Sequence, residues 1–198
     1  MLKNKLVNYL IAIVFSLVIA FAALADTELT PKELEQEVGR CIALLQHDEG
    51  NAKYLNDLGF AYYRLHRTQE ALTAYSKAIA SDPGSSIAYN NLGAALLQLK
   101  EYRKAEEAFN AALKLEPRYT KAAYNLSVSL YRQKKYYDAY KAYQQAKKID
   151  ADYVKKRFND SHARDTLHEE LRKDPNNGSL QAIVQGVDKE NKQDEKQP

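Results

Sequence analysis

A period of 34 residues organises the middle of this chain, and it appears when the sequence is aligned with itself at that offset. Three copies follow one another, each with a leucine, a small residue, two alanines flanking an aromatic residue, and a final acid, which a proline follows in the first two copies. The recurring residues are Leu58, Gly59, Ala71, Tyr75, Ala78 and Pro83, then Leu92, Gly93, Ala105, Phe109, Ala112 and Pro117, then Leu126, Ser127, Ala139, Tyr143 and Ala146, with Ala151 in place of the third proline.

Every copy contains two apolar stripes with helical spacing, separated by a short polar break. The stripes predict helix pairs at 52–65 with 68–81, 86–99 with 102–115, and 120–133 with 136–149. Small residues allow two helices to cross at about 8–10 Å. We therefore expect three facing pairs, which are Gly59 with Ala71, Gly93 with Ala105, and Ser127 with Ala139. Because proline lacks an amide donor, Pro83 and Pro117 are expected to end their helices.

This pattern resembles the tetratricopeptide repeat (TPR), whose 34-residue unit carries an aromatic residue, Leu-Gly, Ala, a second aromatic residue, Ala and Pro. Residues 88–93 and 121–127 match its first helix closely. Leu55 and Ala123 at the opening aromatic site, Ser127 for glycine and Ala151 for proline depart from it. The resemblance covers about half of the chain. It implies an all-α fold, a right-handed superhelix (α-solenoid) with units at 52–85, 86–119 and 120–153.

Both flanks of the repeats predict a capping helix, since the apolar ends of such a stack must be covered. In residues 26–51, Thr30 and Pro31 begin an apolar stripe that includes Leu34, Val38, Cys41, Leu44 and Leu45. Residues 154–177 predict a second capping helix with a break near 159–161. The polar composition of 178–198 predicts a disordered tail. The alternative is a short docking segment formed by Leu180, Ile183, Val184 and Val187.

Residues 1–25 have the features of an export signal, with two lysines, a long apolar run and the sequence Ala23-Leu24-Ala25. Cleavage after Ala25 would leave an exported protein in the periplasm or another extracytoplasmic compartment. The apolar run approaches the ~20 residues that span a bilayer. An uncleaved membrane anchor, with the repeats on the extracytoplasmic side, therefore stays open as the alternative.

The composition excludes several classes of function. Lys and Arg number 29 and Asp and Glu 26, a balance that does not favour nucleic-acid binding. The histidines are too scattered for a helical metal site, and no phosphate-binding or nucleophile motif is present. The single cysteine, Cys41, is interpreted as a small core residue rather than a redox or intermolecular thiol. We therefore predict a protein that is not an enzyme and uses neither cofactor nor metal.

The resemblance implies that the first helix of each unit lines a concave groove, which in the family accepts an extended peptide or a partner helix. The corresponding positions are Lys53, Asn56, Asp57, Phe60, Tyr63 and Arg64, then Ile87, Asn90, Asn91, Ala94, Leu97 and Gln98, then Lys121, Tyr124, Asn125, Val128, Tyr131 and Arg132. The asparagines suit a peptide backbone and the cations suit acids. The terminal-carboxylate clamp known in the family is incomplete, since only Asn91 and Lys121 match it.

Two interpretations of these positions stay open, a peptide-binding groove and an ordinary solvated surface. The first predicts an adaptor that binds a protein or peptide partner during assembly of an extracytoplasmic or envelope complex. A membrane-anchored scaffold is the alternative if residues 1–25 are retained.

Overall fold

The computed structural model describes residues 29–157 and 168–194, and the regular structure of this part of the chain is helical. The helices are α1 Pro31–Leu45, α2 Ala52–Arg64, α3 Thr68–Ser81, α4 Ser86–Gln98, α5 Tyr102–Leu115, α6 Thr120–Arg132, α7 Tyr136–Ile149, α8 Ala151–Arg157 and α9 Gly178–Asp194; residues 168–173 are also helical. From α1 to α8 each helix packs against the next one in the chain, whereas α9 packs against α7. The predicted fold class, an all-α solenoid of three tandem helix pairs with flanking helices, is confirmed.

The first helix of each pair ends in the same turn, and its central residue has left-handed backbone geometry. That residue is His66, Lys100 or Lys134, with φ of 59°, 61° and 62°. The next amide in each turn donates to a carbonyl five residues earlier, as in the bond of 2.9 Å from Arg67 N to Tyr62 O. This is a Schellman motif, which usually places glycine at the left-handed position. Three equal turns of this kind orient each second helix against its first.

The glycines of the first helices lie against aromatic rings of the second helices. A Cβ atom built on Gly59 would lie 2.6 Å from Cε1 of Tyr75, and one on Gly93 would lie 2.5 Å from Cε1 of Phe109. Ala71 is buried in one cluster with Tyr75 and Ala95, so its small side chain makes room for the following repeat.

The ends of the second helices explain how the third repeat differs from the others. α3 and α5 stop before Asp82-Pro83 and Glu116-Pro117, and four residues separate each from the next helix. After α7, Asp150 is extended and α8 begins directly at Ala151, where the proline is missing. α8 therefore starts inside the residues that were assigned to the third repeat.

The prediction of a disordered tail over 178–198 is wrong for residues 178–194, which form α9. The side chain of Asn177 caps this helix by accepting from the amide of Leu180 at 3.1 Å. Leu180, Ile183 and Val184 are buried against Tyr131, Tyr136, Tyr140 and Leu171. Polar composition concealed the helical spacing of these three residues, which are three of the four that the alternative docking segment comprised.

The two C-terminal pieces cover different ends of the last repeat. Val154 of α8 packs on Ala123 and Ala146, whereas α9 packs on the tyrosines at the opposite end of α6 and the start of α7. A hydrogen bond of 3.1 Å from the Tyr136 hydroxyl to Glu170 attaches the helical segment 168–173, which precedes α9, to the last repeat. The apolar surface of the last repeat is thus covered by two helices, α8 and α9, which we call the divided cap.

Several sequence predictions lie outside the described residues. These are the leader at 1–25, the helix break at 159–161 and the last four residues of the tail. Among the helices that the structure describes, none combines the length and the apolar character needed to cross a membrane.

Candidate functional site

The three first helices lie side by side and share one face that points away from the second helices. α2 contacts α4, and α4 contacts α6, while each also packs on its own second helix. In α2 the buried residues are on one side, and Lys53 and Phe60 are exposed on the other. Residues with the same helical positions form the corresponding stripe on α4 and α6. We call this shared face of α2, α4 and α6 the groove.

A chain of hydrogen bonds between asparagine side chains runs along the groove. Asn125 Nδ2 donates to Asn90 Oδ1 at 3.0 Å, Asn90 Nδ2 donates to Asn91 Oδ1 at 3.3 Å, and Asn91 Nδ2 donates to Asn56 Oδ1 at 3.0 Å. We call these four residues the asparagine ladder. It joins all three repeats through their first helices.

The asparagine ladder orients its amide groups and leaves part of their hydrogen-bonding capacity unused. Asn90 has both amide atoms engaged and is 4% exposed, so it is a structural member. At one end Asn56 retains its two N–H donors, and at the other Asn125 retains its carbonyl acceptor. Both residues are half-buried. Fixed donors and acceptors at the surface of a groove suit the backbone of a peptide, since little ordering of side chains is needed on binding.

The groove is positively charged. The first helices carry Lys53, Arg64, Lys121 and Arg132 and a single acid, Asp57. The guanidinium carbon of Arg64 lies 5.9 Å from the centre of the Phe60 ring, which places both side chains on the same face. The groove therefore combines cations with apolar side chains around the amides.

Several residues predicted for the groove are engaged inside the protein. Gln98 bonds to Thr68 and His66 of the preceding repeat at 2.9 and 2.8 Å. Tyr124 packs edge-on against Tyr153 and donates its hydroxyl to the carbonyl of Arg157, and burial raises its pKa. Tyr131 packs under α9, and Tyr63 and Leu97 lie against core clusters. These residues support the groove from its sides. Lys53, Phe60, Lys121, Val128 and Arg132 keep exposed or half-buried side chains.

The asparagine ladder was missed as a unit from the sequence, although all four residues were selected individually. Alignment at 34 residues places Asn56 beside Asn90 and Asn91 beside Asn125. The observed pairs are Asn56 with Asn91 and Asn90 with Asn125, which are 35 residues apart. A search for polar pairs one residue off the repeat period would have found them.

The remaining candidate groups show no arrangement for chemistry within the described residues. No cluster of three or more histidine, cysteine or acidic side chains there could hold a metal ion. Cys41 is fully buried, and this burial raises the pKa of its thiol to about 11. A thiol that stays protonated in the core is a poor nucleophile.

Comparison with known proteins relates this architecture to solved structures. A crystal structure of MamA is similar to this chain, with a TM-score of 0.65 and 19% sequence identity over 84% of this chain and 93% of the chain in that structure. The first TPR of Spaghetti (RPAP3), bound to the HSP90 peptide SRMEEVD, has a TM-score of 0.52 and 22% identity, covering 72% of this chain and 94% of that one. At these identities the likeness concerns the fold. The comparison with curated proteins gave no match.

A family model provides the assignment. The tetratricopeptide repeat model matches residues 56–114 and again 97–154, two overlapping ranges that together reach across half of the chain. Those ranges contain α4, α6 and α2 from Asn56 onward, together with the aromatic contacts of the glycines and the asparagine ladder. The chain belongs to the tetratricopeptide repeat family.

Proposed function

We propose that this protein is a non-catalytic adaptor that binds a segment of a partner protein in the groove. The observation that carries the proposal is the asparagine ladder, which crosses all three repeats and ends in unused donors and an unused acceptor. RPAP3, a structural neighbour, holds an HSP90 peptide with a fold of the same kind.

In this proposal the partner segment lies across α2, α4 and α6. Its backbone carbonyls accept from Asn56, and its amides donate to Asn125. Phe60 and Val128 contact apolar side chains, and Lys121 adds an electrostatic contribution from the rim. Pre-oriented amides contribute to affinity mainly by reducing the entropy lost on binding.

Substitutions in the groove that the fold does not need provide the test. A peptide selected from a random display library and then synthesised is the ligand. We expect Phe60→Ala and Lys121→Ala each to weaken its binding by about two- to tenfold, because each removes a contact worth roughly 0.5–1.5 kcal/mol. Isothermal titration calorimetry measures the change, and circular dichroism verifies folding.

Matched controls come from a second helix. Leu115 and Lys114 are exposed near the end of α5, away from the groove. Leu115→Ala and Lys114→Ala should leave the affinity unchanged. The opposite pattern, with losses only in these α5 variants, would place the partner on the outer surface and contradict the proposal.

We also propose that the adaptor acts outside the cytoplasm, on the evidence of residues 1–25. Their lysines, apolar run and Ala23-Leu24-Ala25 support cleavage after Ala25. Intact-mass measurement of the protein purified from its native cells should give a chain that begins at Asp26. A mass that includes residues 1–25, in the membrane fraction, would instead support the anchored scaffold. Assembly of an envelope complex is the role that fits either form.

A further inference from the structure

The groove carries a pattern of charge that repeats across its width. Near the start of the first helices, equivalent positions hold Lys53, Ile87 and Lys121. Near their ends, equivalent positions hold Arg64, Gln98 and Arg132. In both rows the outer repeats provide cations and the middle repeat provides an uncharged side chain. We call the row of Lys53, Ile87 and Lys121 the lysine row.

The lysine row is accessible and electrostatically unsatisfied. Within the described residues, the ion pairs involve other cations, and none joins Lys53, Lys121 or Arg132 to a carboxylate. Lys53 and Lys121 are exposed, and Ile87 between them is 52% exposed. A ligand that complements this surface must place an apolar group on the exposed isoleucine and an acidic group on each of the two exposed lysines beside it.

The spacing of the helices determines how far apart those acidic groups lie. Neighbouring packed helices are about 8–10 Å apart, so Lys53 and Lys121 are separated by about two such steps, or 16–20 Å. An extended peptide advances about 3.3 Å per residue and presents every second side chain to the same side. Two acids about six residues apart therefore face the two lysines, and the side chains between them that point the same way face Ile87.

We infer that the partner segment is an extended acidic peptide, with carboxylates about six residues apart and apolar residues between them. This inference rests on the proposed function and specifies its ligand. Carboxylates at the centre of the segment would lose water against Ile87 without gaining a cation, and apolar ends would cover the ammonium groups of the lysines. Specificity thus comes both from the free energy lost when the acidic and apolar residues are in the wrong order and from the contacts made when they are in the right order.

Two peptides of identical composition test the order directly. The first is Glu-Ser-Leu-Ser-Leu-Ser-Glu and the second is Leu-Ser-Glu-Ser-Glu-Ser-Leu, both acetylated and amidated so that terminal charges do not contribute. We expect the first to bind about five- to tenfold more tightly in fluorescence anisotropy titrations at low salt. The ratio should fall towards one at high salt, where partly exposed ion pairs are screened. Equal affinities at low salt would overturn the inference.

A specificity swap adds a second test. Ile87→Lys makes the lysine row uniformly positive, so it should strengthen binding of the peptide with central acids and reduce the difference between the two peptides. Leu115→Lys adds the same charge at an exposed apolar position of α5 and should leave the ratio unchanged. An unchanged ratio in Ile87→Lys would also overturn the inference.

The failure of the inference and that of the proposed function give different results. If Phe60→Ala weakens both peptides but their order has no effect, the groove binds peptides and the acidic spacing is wrong. If neither peptide responds to Phe60→Ala or Lys121→Ala, the groove is not the binding surface and both proposals fail.

Discussion

Replacement of Phe109 by alanine is expected to lower the free energy of unfolding by about 3–5 kcal/mol, the usual cost of removing a buried aromatic side chain. Phe109 is 0% exposed and belongs to the largest core cluster, together with Leu96, Leu126 and Leu130. Its ring lies against Gly93, where the helix provides no side chain to fill the space that alanine would leave. Urea denaturation followed by circular dichroism measures the loss.

The other phenylalanine of the three repeats, Phe60, provides the control. Phe60 is 42% exposed in the groove, so Phe60→Ala should change the free energy of unfolding by no more than about 0.5 kcal/mol. If Phe109→Ala were as stable as Phe60→Ala, the aromatic contact with Gly93 would not be part of the core.

Replacement of Asn90 by alanine is expected to cost about 1–3 kcal/mol of stability, although the side chain is polar and small. The substitution leaves Asn125 Nδ2 and Asn91 Oδ1 without their partner in a partly buried surface. An unsatisfied polar group there incurs its full desolvation penalty, which exceeds the modest net value of a hydrogen bond. Thermal and urea denaturation give the loss of stability.

Asn110→Ala is the matched control, because Asn110 is exposed on α5 and outside the asparagine ladder. It should be within about 0.5 kcal/mol of the wild type. Equal stability of the two variants would mean that the asparagine ladder does not stabilise the fold. For the same reason, Asn91→Ala and Asn125→Ala alter stability as well as binding, and Phe60 and Lys121 are the cleaner positions for affinity measurements.

The sequence predicts the helices well, because the marks that define their boundaries are local. Apolar spacing, Pro83 and Pro117 located all six repeat helices to within one residue at each end. The Schellman turns could not be predicted in this way, since His66, Lys100 and Lys134 replace the glycine that normally signals one. α9 was missed because its composition is polar and its apolar residues gain stability only from contact with distant tyrosines.

The candidate site was predicted as a set of positions but not as a set of contacts. Helical periodicity indicates which side chains leave the same face, and it identified Asn56, Asn90, Asn91 and Asn125. The contacts depend on a shift of one residue between neighbouring first helices, and nothing in a single sequence specifies that shift. The contacts that Tyr124 and Tyr131 make inside the protein likewise depend on where α8 and α9 pack.

The divided cap has a consequence for self-association. A solenoid whose last repeat exposed its apolar end could accept the beginning of another copy, and repetition of such a head-to-tail contact would produce an open filament. Here α8 and α9 occupy that end and cover Ala123, Ala146 and Tyr140. Exposed Lys155, Lys156, Glu169 and Lys173 replace the apolar surface with charge. At this end of the molecule, polymerisation by stacking would require both helices to be displaced.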